Sequence, residues 1–357
     1  MKVCILTYRF HSNFGFLMQA YALQQVIKSL GHKPYTVNIR VKPLSSFAKI
    51  KQVVKSMLLY VSRLIGHPSL PWITMKEQAY IDQHTWKFIK EHLQLTPPIN
   101  SIKDLKREIG NQYDYYLVGS DQVWRKEYCP DIPSYFFDFV ADAKRRASYA
   151  ASFGVSTPEY PPQMIAKCRE LLAKFSAVSV READAVRICH EMFGVSAVHV
   201  LDPTLLLTKS DYMKLINPKD EFQLPSSTFI LAYILDNTST KKQFIEHTSK
   251  QRKSSVFYIK PQNLCDVGKK RIEECIYPSI STWLRAFEKA DFIITDSFHG
   301  TVFSIIFQKQ FIVLDNPQRG SSRMKSLLND FSLENRLLSP NGRNDLIFEQ
   351  IDYGNVN

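Results

Sequence analysis

The sequence predicts an α/β protein made of two doubly wound, Rossmann-like domains that face each other across a cleft. Three observations predict it. The chain has 357 residues, two domains' worth, with 45% apolar content. Short runs rich in β-branched residues alternate with helical patterns over most of the length, the signature of βα units and parallel sheets. A break at residues 208–226, holding Asn217-Pro218, Pro225 and Ser226-Ser227, divides that alternation into two sets.

The first set has strands near residues 3–8, 35–39, 115–119, 146–151, 177–180 and 197–201. Its helices include 17–30, which Gly31 ends, and 182–192, which Gly194 follows; glycine supplies the left-handed residue a helix end favours. Met1-Lys2-Val3-Cys4-Ile5-Leu6 has only a short apolar run and no small-residue cleavage pattern, so it reads as the first strand. The second set has strands near 228–235, 255–259, 291–295 and 311–314, with helices near 239–250, 280–289 and 300–308. The domains are therefore placed at 1–212 and 226–357, each with its own core, and the final helix is the candidate to pack back on the first domain. Two doubly wound domains on one linker bind ligands in the cleft between them, where loops at the carboxyl ends of both sets of strands converge. This is the GT-B arrangement.

Composition narrows the function. Six cysteines are scattered without a C-x-x-C pair, which reads as reduced thiols in a cytoplasmic protein, and no run of about 20 apolar residues is present to span a membrane. The charge is uneven: the first acidic residue is Glu77, and the 11 Lys and Arg before it carry nearly all of the formal +12. Partners of segment 1–76 should be anionic. No zinc-finger, RNP or basic-zipper pattern accompanies the charge, so nucleic acid is not expected.

The residues able to carry chemistry fall just after strands. In Asp291-Phe-Ile-Ile-Thr-Asp296-Ser297-Phe298-His299-Gly300-Thr301 a buried strand runs into a helix start, where free N–H groups and the dipole attract a phosphate or carboxylate. The dipole contributes only about 0.3–1 kcal/mol when exposed, so other cations must help. His299 beside that anion is placed to donate a proton; the bland alternative is a helix cap with a packed histidine. In Ser179-Val180-Arg181-Glu182 the arginine opposes the dipole at a helix start and is explained by a bound anion, or by an ion pair with Glu182 and Asp184. The loops Gly119-Ser120-Asp121-Gln122-Val123-Trp124 and His11-Ser12-Asn13 offer glycine and small polar groups suited to a polyhydroxyl sugar, though ordinary turns have the same composition. Asp202-Pro203 is expected to set a turn.

Taken together, these stretches resemble the polysaccharide pyruvyl transferase family over most of the chain. The resemblance is carried in order by Asn13-Phe14-Gly15 with Gln19-Ala20-Tyr21-Ala22-Leu23-Gln24, Val118-Gly119-Ser120-Asp121-Gln122-Val123-Trp124, Ser148-Tyr149-Ala150-Ala151-Ser152-Phe153-Gly154, Ser179-Val180-Arg181-Glu182, Val200-Leu201-Asp202-Pro203-Thr204, and Thr295-Asp296-Ser297-Phe298-His299-Gly300. It implies a GT-B-like fold, phosphoenolpyruvate as donor substrate, no cofactor or metal, and a glycan acceptor destined for capsule, exopolysaccharide or cell wall. It also implies Arg181 as a donor-binding residue and His299 as the acid. Where such proteins often carry Arg-x-His, this chain has Ser297-Phe298-His299, so a replacement cation is expected from Arg323 or Lys260. Ser297, Gly300 and Thr301 complete the expected donor site. Asp121 is expected to orient or deprotonate an acceptor hydroxyl, with His11, Asn13, Gly119, Ser120, Gln122 and Trp124 on the acceptor side.

Within the basic segment, Phe47, Ile50, Val54, Met57, Leu58, Val61, Leu64 and Ile65 recur at helical spacing among Lys49, Lys51, Lys55 and Arg63. One reading is a helix packed on the first domain. The other is docking of residues 42–66 on the anionic inner leaflet, which suits a lipid-linked acceptor. The competing functions are a GT-B glycosyltransferase using a nucleotide sugar, against which stands the lack of an acidic residue between His299 and Asp315, and a non-catalytic glycan-binding subunit.

Overall fold

The computed structural model describes residues 1–40, 73–129, 131–141, 145–158, 160–220, 223–316, 320–339 and 345–356. The first sheet holds β1 (Lys2–Leu6), β2 (Lys33–Thr36), β3 (Tyr115–Asp121), β4 (Arg146–Ala151), β5 (Ser179–Val180) and β6 (Val198–His199) in the order β2-β1-β3-β4-β5-β6. The second holds β7 (Phe229–Tyr233), β8 (Ser255–Tyr258), β9 (Phe292–Thr295), β10 (Gln310–Leu314) and β11 (Leu337–Leu338), ordered β8-β7-β9-β10-β11. All described pairings within both sheets are parallel. Strands covered on both faces read as continuous apolar runs, as Phe229–Tyr233 and Phe292–Thr295 do.

Both sheets follow one winding pattern. The second strand lies outside the first, and the third lies on the first strand's other side, so connections leave β1 and β3, and likewise β7 and β9, in opposite directions. The crevice at that reversal is where doubly wound sheets bind ligands.

Helix starts near this crevice are capped by their own sequence. Asn13 accepts from the Phe16 N–H to begin Phe14–Ser29, and Ser297 accepts from the Gly300 N–H to begin Phe298–Ile306. Gly194, with φ of 68°, ends Ala183–Phe193 in the left-handed conformation.

Each domain has a buried apolar cluster of its own, around Ile5 and Leu23 in the first and around Ile230 and Ile294 in the second, and a larger cluster runs through both. Phe14 of the first domain stacks on Trp283 of the second with ring centroids 5.4 Å apart, and Tyr212 meets Phe303 edge-on at 4.8 Å. Within the break at 208–226, Tyr212 is fully buried and the Asn217 N–H donates to Ser281. The last α-helix, Ser321–Asp330, touches the first domain through Ser322 to Asp184 and the Ala183 N–H to Ser326. Beyond it, the tail folds on its own domain, with Tyr353 donating to Lys309 and Gln310 bonded to Ile351. The basic stretch 42–66 lies outside the described residues. Among those described, no helix is long and apolar enough to cross a membrane.

Candidate active site

The loops leaving β1, β3, β7 and β9 enclose a cavity of about 830 Å³ between the domains. That volume suits a small-molecule site, typically about 300–1,000 Å³. The first domain contributes Tyr8, Arg9, His11, Asn13, Asp121 and Gln122, followed by Glu127, Tyr128 and Tyr135. From the second come Leu235, Ser297, Phe298, His299 and Arg323.

Five ionisable side chains form one cluster, with Asp121, His299 and Arg323 on the cavity wall and Arg181 and Asp202 buried beneath it. Arg181 donates to Asp202 Oδ2 at 2.9 Å and to Asp121 Oδ1 at 3.2 Å. His299 Nε2 lies 3.7 Å from the same Asp202 oxygen, an ion-pair distance too long for a hydrogen bond. Arg323 approaches Asp121 Oδ1 at 4.0 Å. Both guanidinium groups lie over the Phe298 ring, Arg181 at 4.5 Å and Arg323 at 5.7 Å from its centroid. Nε of Arg181 and Nε2 of His299 are buried without a hydrogen-bond partner among the described residues.

The charges govern one another. Burial pushes the Asp202 carboxyl up, but His299 and Arg181 outweigh it and hold it well below the ordinary range. Burial also opposes ionisation of Asp121, and Arg181, His299 and Arg323 overcome it. Arg181 gains more from Asp121, Asp202 and Glu182 than burial removes, and its pKa rises. Arg323 goes the other way: burial, with the charge of Arg181 beside it, brings its pKa down to about 10. Asp121 occupies a left-handed backbone conformation, φ of 76°, uncommon for a residue with a side chain and frequent at functional sites.

His299 belongs to the second domain but is seated by the first. A methyl group on Gly15 would overlap the imidazole at Nδ1 and Cγ, so only glycine leaves room for the ring there. Asn13-Phe14-Gly15 thus caps a helix, anchors the aromatic stack and seats the histidine.

The structure brings half of the fourteen expected residues to the cavity. His299, Asp121, Ser297, Arg323, His11, Asn13 and Gln122 line it. Arg181 is placed beneath the wall, its side chain 1% exposed and held by Asp121 and Asp202, neither of them the Glu182 and Asp184 of the ion-pair alternative. Glu182 instead accepts from Ser152 and the N–H groups of Phe153 and Gly154. Six more expected residues, Gly300, Thr301, Gly119, Ser120, Trp124 and Lys260, are not among the residues lining the cavity. The Gly300 N–H is taken by Ser297, and a side chain at Gly300 would collide with Thr295. Thr301 donates to Ser297 and lies against Met324. A side chain at Gly119 would strike the Tyr149 carbonyl, Ser120 donates to Ala150 and Asp202, and Trp124 is buried against Phe136. Lys260 lies back from the cavity and donates to the Leu235 carbonyl.

Asp202, expected only to set a turn, joins Arg181 to His299. The available signal was its place at a strand end, where the other chemical residues cluster. Asp296 serves the framework, accepting from Leu235, Asp236, Lys241 and Asn316. Among the described residues no group of three His, Cys, Asp or Glu is arranged to hold a metal ion.

Two parallel α/β domains face a cleft that holds arginines, carboxylates and a histidine, a GT-B-like arrangement. The family model for polysaccharide pyruvyl transferase matches residues 13–318, and the chain belongs to that family. It is a transferase of polysaccharide biosynthesis. No curated protein gives a significant match to the sequence. Among solved structures, the chain is similar to UDP-GlcNAc 2-epimerase from Neisseria meningitidis bound to UDP-GlcNAc, with 12% identity, coverage of 97% of each chain and a TM-score of 0.44. The UDP-GlcNAc 2-epimerase from Methanocaldococcus jannaschii shares 11% identity over 96% of this chain and 89% of that one, TM-score 0.45. The E. coli heptosyltransferase WaaC with ADP shares 12% over 89% and 88%, TM-score 0.39.

Proposed function

We propose that this enzyme transfers the carboxyethylidene group of phosphoenolpyruvate to two neighbouring hydroxyls of a sugar, forming a cyclic ketal and releasing inorganic phosphate. The observation that carries the reading is geometric: Arg323 lines the cavity and Arg181 lies beneath it, both guanidinium groups over the Phe298 ring, and keeping two buried cations side by side costs free energy. An anionic donor relieves that cost, as it brings opposite charge to two adjacent guanidinium groups.

The chemistry follows from the residue types. Protonation of the donor's enol methylene makes a methyl group and leaves a cation-like carbon, and His299 is the acid on the cavity wall. One sugar hydroxyl adds to that carbon. Phosphate leaves with the C–O bond electrons, and the second hydroxyl closes the ketal. Asp121, ionised by its cationic neighbours, accepts the first hydroxyl's proton, and the second hydroxyl's proton leaves with the released phosphate as hydrogen phosphate. Arg323 and Ser297 hold the donor's anionic groups, with Arg181 adding charge from beneath. The acceptor lies on the first-domain side, along His11, Asn13 and Gln122.

Incubating the enzyme with phosphoenolpyruvate and candidate glycans, and following a new ketal methyl signal by proton NMR alongside phosphate release, tests the reading. Release of phosphate without a ketal, or transfer from a nucleotide sugar instead, overturns it.

A further inference from the structure

We propose that Tyr128 is a stacking platform for a pyranose ring of the acceptor, lying on the first-domain wall of the cleft. The proposal rests on the pyruvyl-transfer reading and assigns the acceptor side of that same cavity.

The aromatic residues around the cavity differ sharply in exposure. Tyr8, Tyr135 and Phe298 are buried, whereas Tyr128 is 42% exposed. One face of its ring is backed by Arg125, whose guanidinium carbon lies 4.6 Å from the centroid. Tyr8 meets the ring edge-on with centroids 6.1 Å apart. Arg125 is itself fixed, donating to Gln122 at 3.0 Å and to Glu127 at 2.8 Å. The ring is therefore held before any ligand arrives, which lowers the ordering cost of binding.

The chemistry of an exposed aromatic ring selects its occupant. An aromatic face is electron-rich and repels phosphate and carboxylate, so phosphoenolpyruvate has no reason to lie on it. A pyranose presents a face of C–H groups, apolar and weakly positive, with its hydroxyls around the rim. Arg9, His11 and Glu127 line the same cavity and suit those hydroxyls. Tyr128 and Arg323 line the same cavity, so a sugar stacked on the ring shares that space with the donor.

Saturation-transfer NMR with the methyl glycosides of glucose, galactose, mannose and N-acetylglucosamine tests this, with phosphoenolpyruvate and UDP affinities measured in parallel by calorimetry. The wild type should transfer saturation to the ring C–H protons of at least one glycoside. Tyr128→Ala and Tyr128→Leu should weaken that binding about tenfold, while Tyr128→Phe and Tyr128→Trp keep it. Phosphoenolpyruvate affinity should stay within about twofold throughout. The leucine variant keeps bulk without a π face, so a loss there cannot be ascribed to a collapsed loop. The platform is overturned by absence of transfer to every glycoside in the wild type, by retention of binding in both aliphatic variants, or by their loss of phosphoenolpyruvate or UDP affinity in place of glycoside affinity. If the wild type fails to bind phosphoenolpyruvate while glycoside binding still depends on Tyr128, the donor assignment falls and the platform stands.

Discussion

Gly15 and His299, from different domains and 284 positions apart in the chain, are packed so closely that the glycine has no room for a side chain against the imidazole. The histidine's orientation is therefore set by a backbone surface of the opposite domain.

Gly15→Ala should separate geometry from folding. Alanine is the better helix former by about 1 kcal/mol, so the Phe14–Ser29 helix has no local reason to weaken. The added methyl must displace the imidazole, and a shift of about 1 Å in a catalytic group costs on the order of 100-fold. We expect kcat to fall by about that factor with little change in melting temperature. Near-normal turnover would mean that His299 tolerates displacement.

His299→Ala should abolish acceptor-dependent phosphate release, a loss of about 10²–10⁴ for one general acid. Circular dichroism should still report a folded chain. An active variant would move the proton donor elsewhere.

Arg323→Met should weaken phosphoenolpyruvate binding by about tenfold or more, because a charge-assisted contact is lost. It should not destabilise the protein: it removes a buried cation whose pKa is brought down to about 10 by burial and by Arg181. A calorimetric melting temperature equal to or above wild type, with a raised KM for the donor, is the expected pair. A lower melting temperature with an unchanged KM would make Arg323 a framework residue.

Asp202→Asn should reshape acid stability. In the folded chain Asp202 and Asp121 titrate below their ordinary value of 3.8, so near and below that value the unfolded chain binds more protons. Their contribution is complete above the unfolded pKa and is lost as pH falls through the folded ones. Wild-type melting temperatures should therefore drop below about pH 4, and the variant should drop less steeply there. At pH 7 the variant should be less stable by on the order of 3 kcal/mol, since buried Arg181 loses one of its two carboxylates. Parallel profiles would show that Asp202 carries no linked charge.

The fold was far more legible in the sequence than the site. Strands such as Phe229–Tyr233 and Phe292–Thr295 are written as the apolar runs that a buried parallel sheet requires, whereas Leu337–Leu338 lies outside every range the sequence reads as a strand. Residues at strand ends announce where chemistry sits, which is why Asp121, Arg181 and His299 could be singled out. Their partners are another matter. Asp202 reaches Arg181 across 21 positions and His299 across 97, and no local pattern encodes such a pairing. Asp202-Pro203-Thr204 also satisfies every requirement of a simple turn, with Asp202 accepting from the Thr204 N–H, so the second duty of its carboxylate is hidden behind the first. Gly300 and Trp124 mislead for the opposite reason: their motif positions are conspicuous, yet steric fit against Thr295 and stacking on Phe136 account for them.

The stack of Phe14 on Trp283 has a practical corollary for protein engineering. Exchanging whole halves with a sister protein is a common route to new specificity, and here the cut would pass through an oily seam that neither half can leave bare. A chimera would keep its reaction centre only if the aromatic residues and the neighbouring glycine travelled with the half they serve.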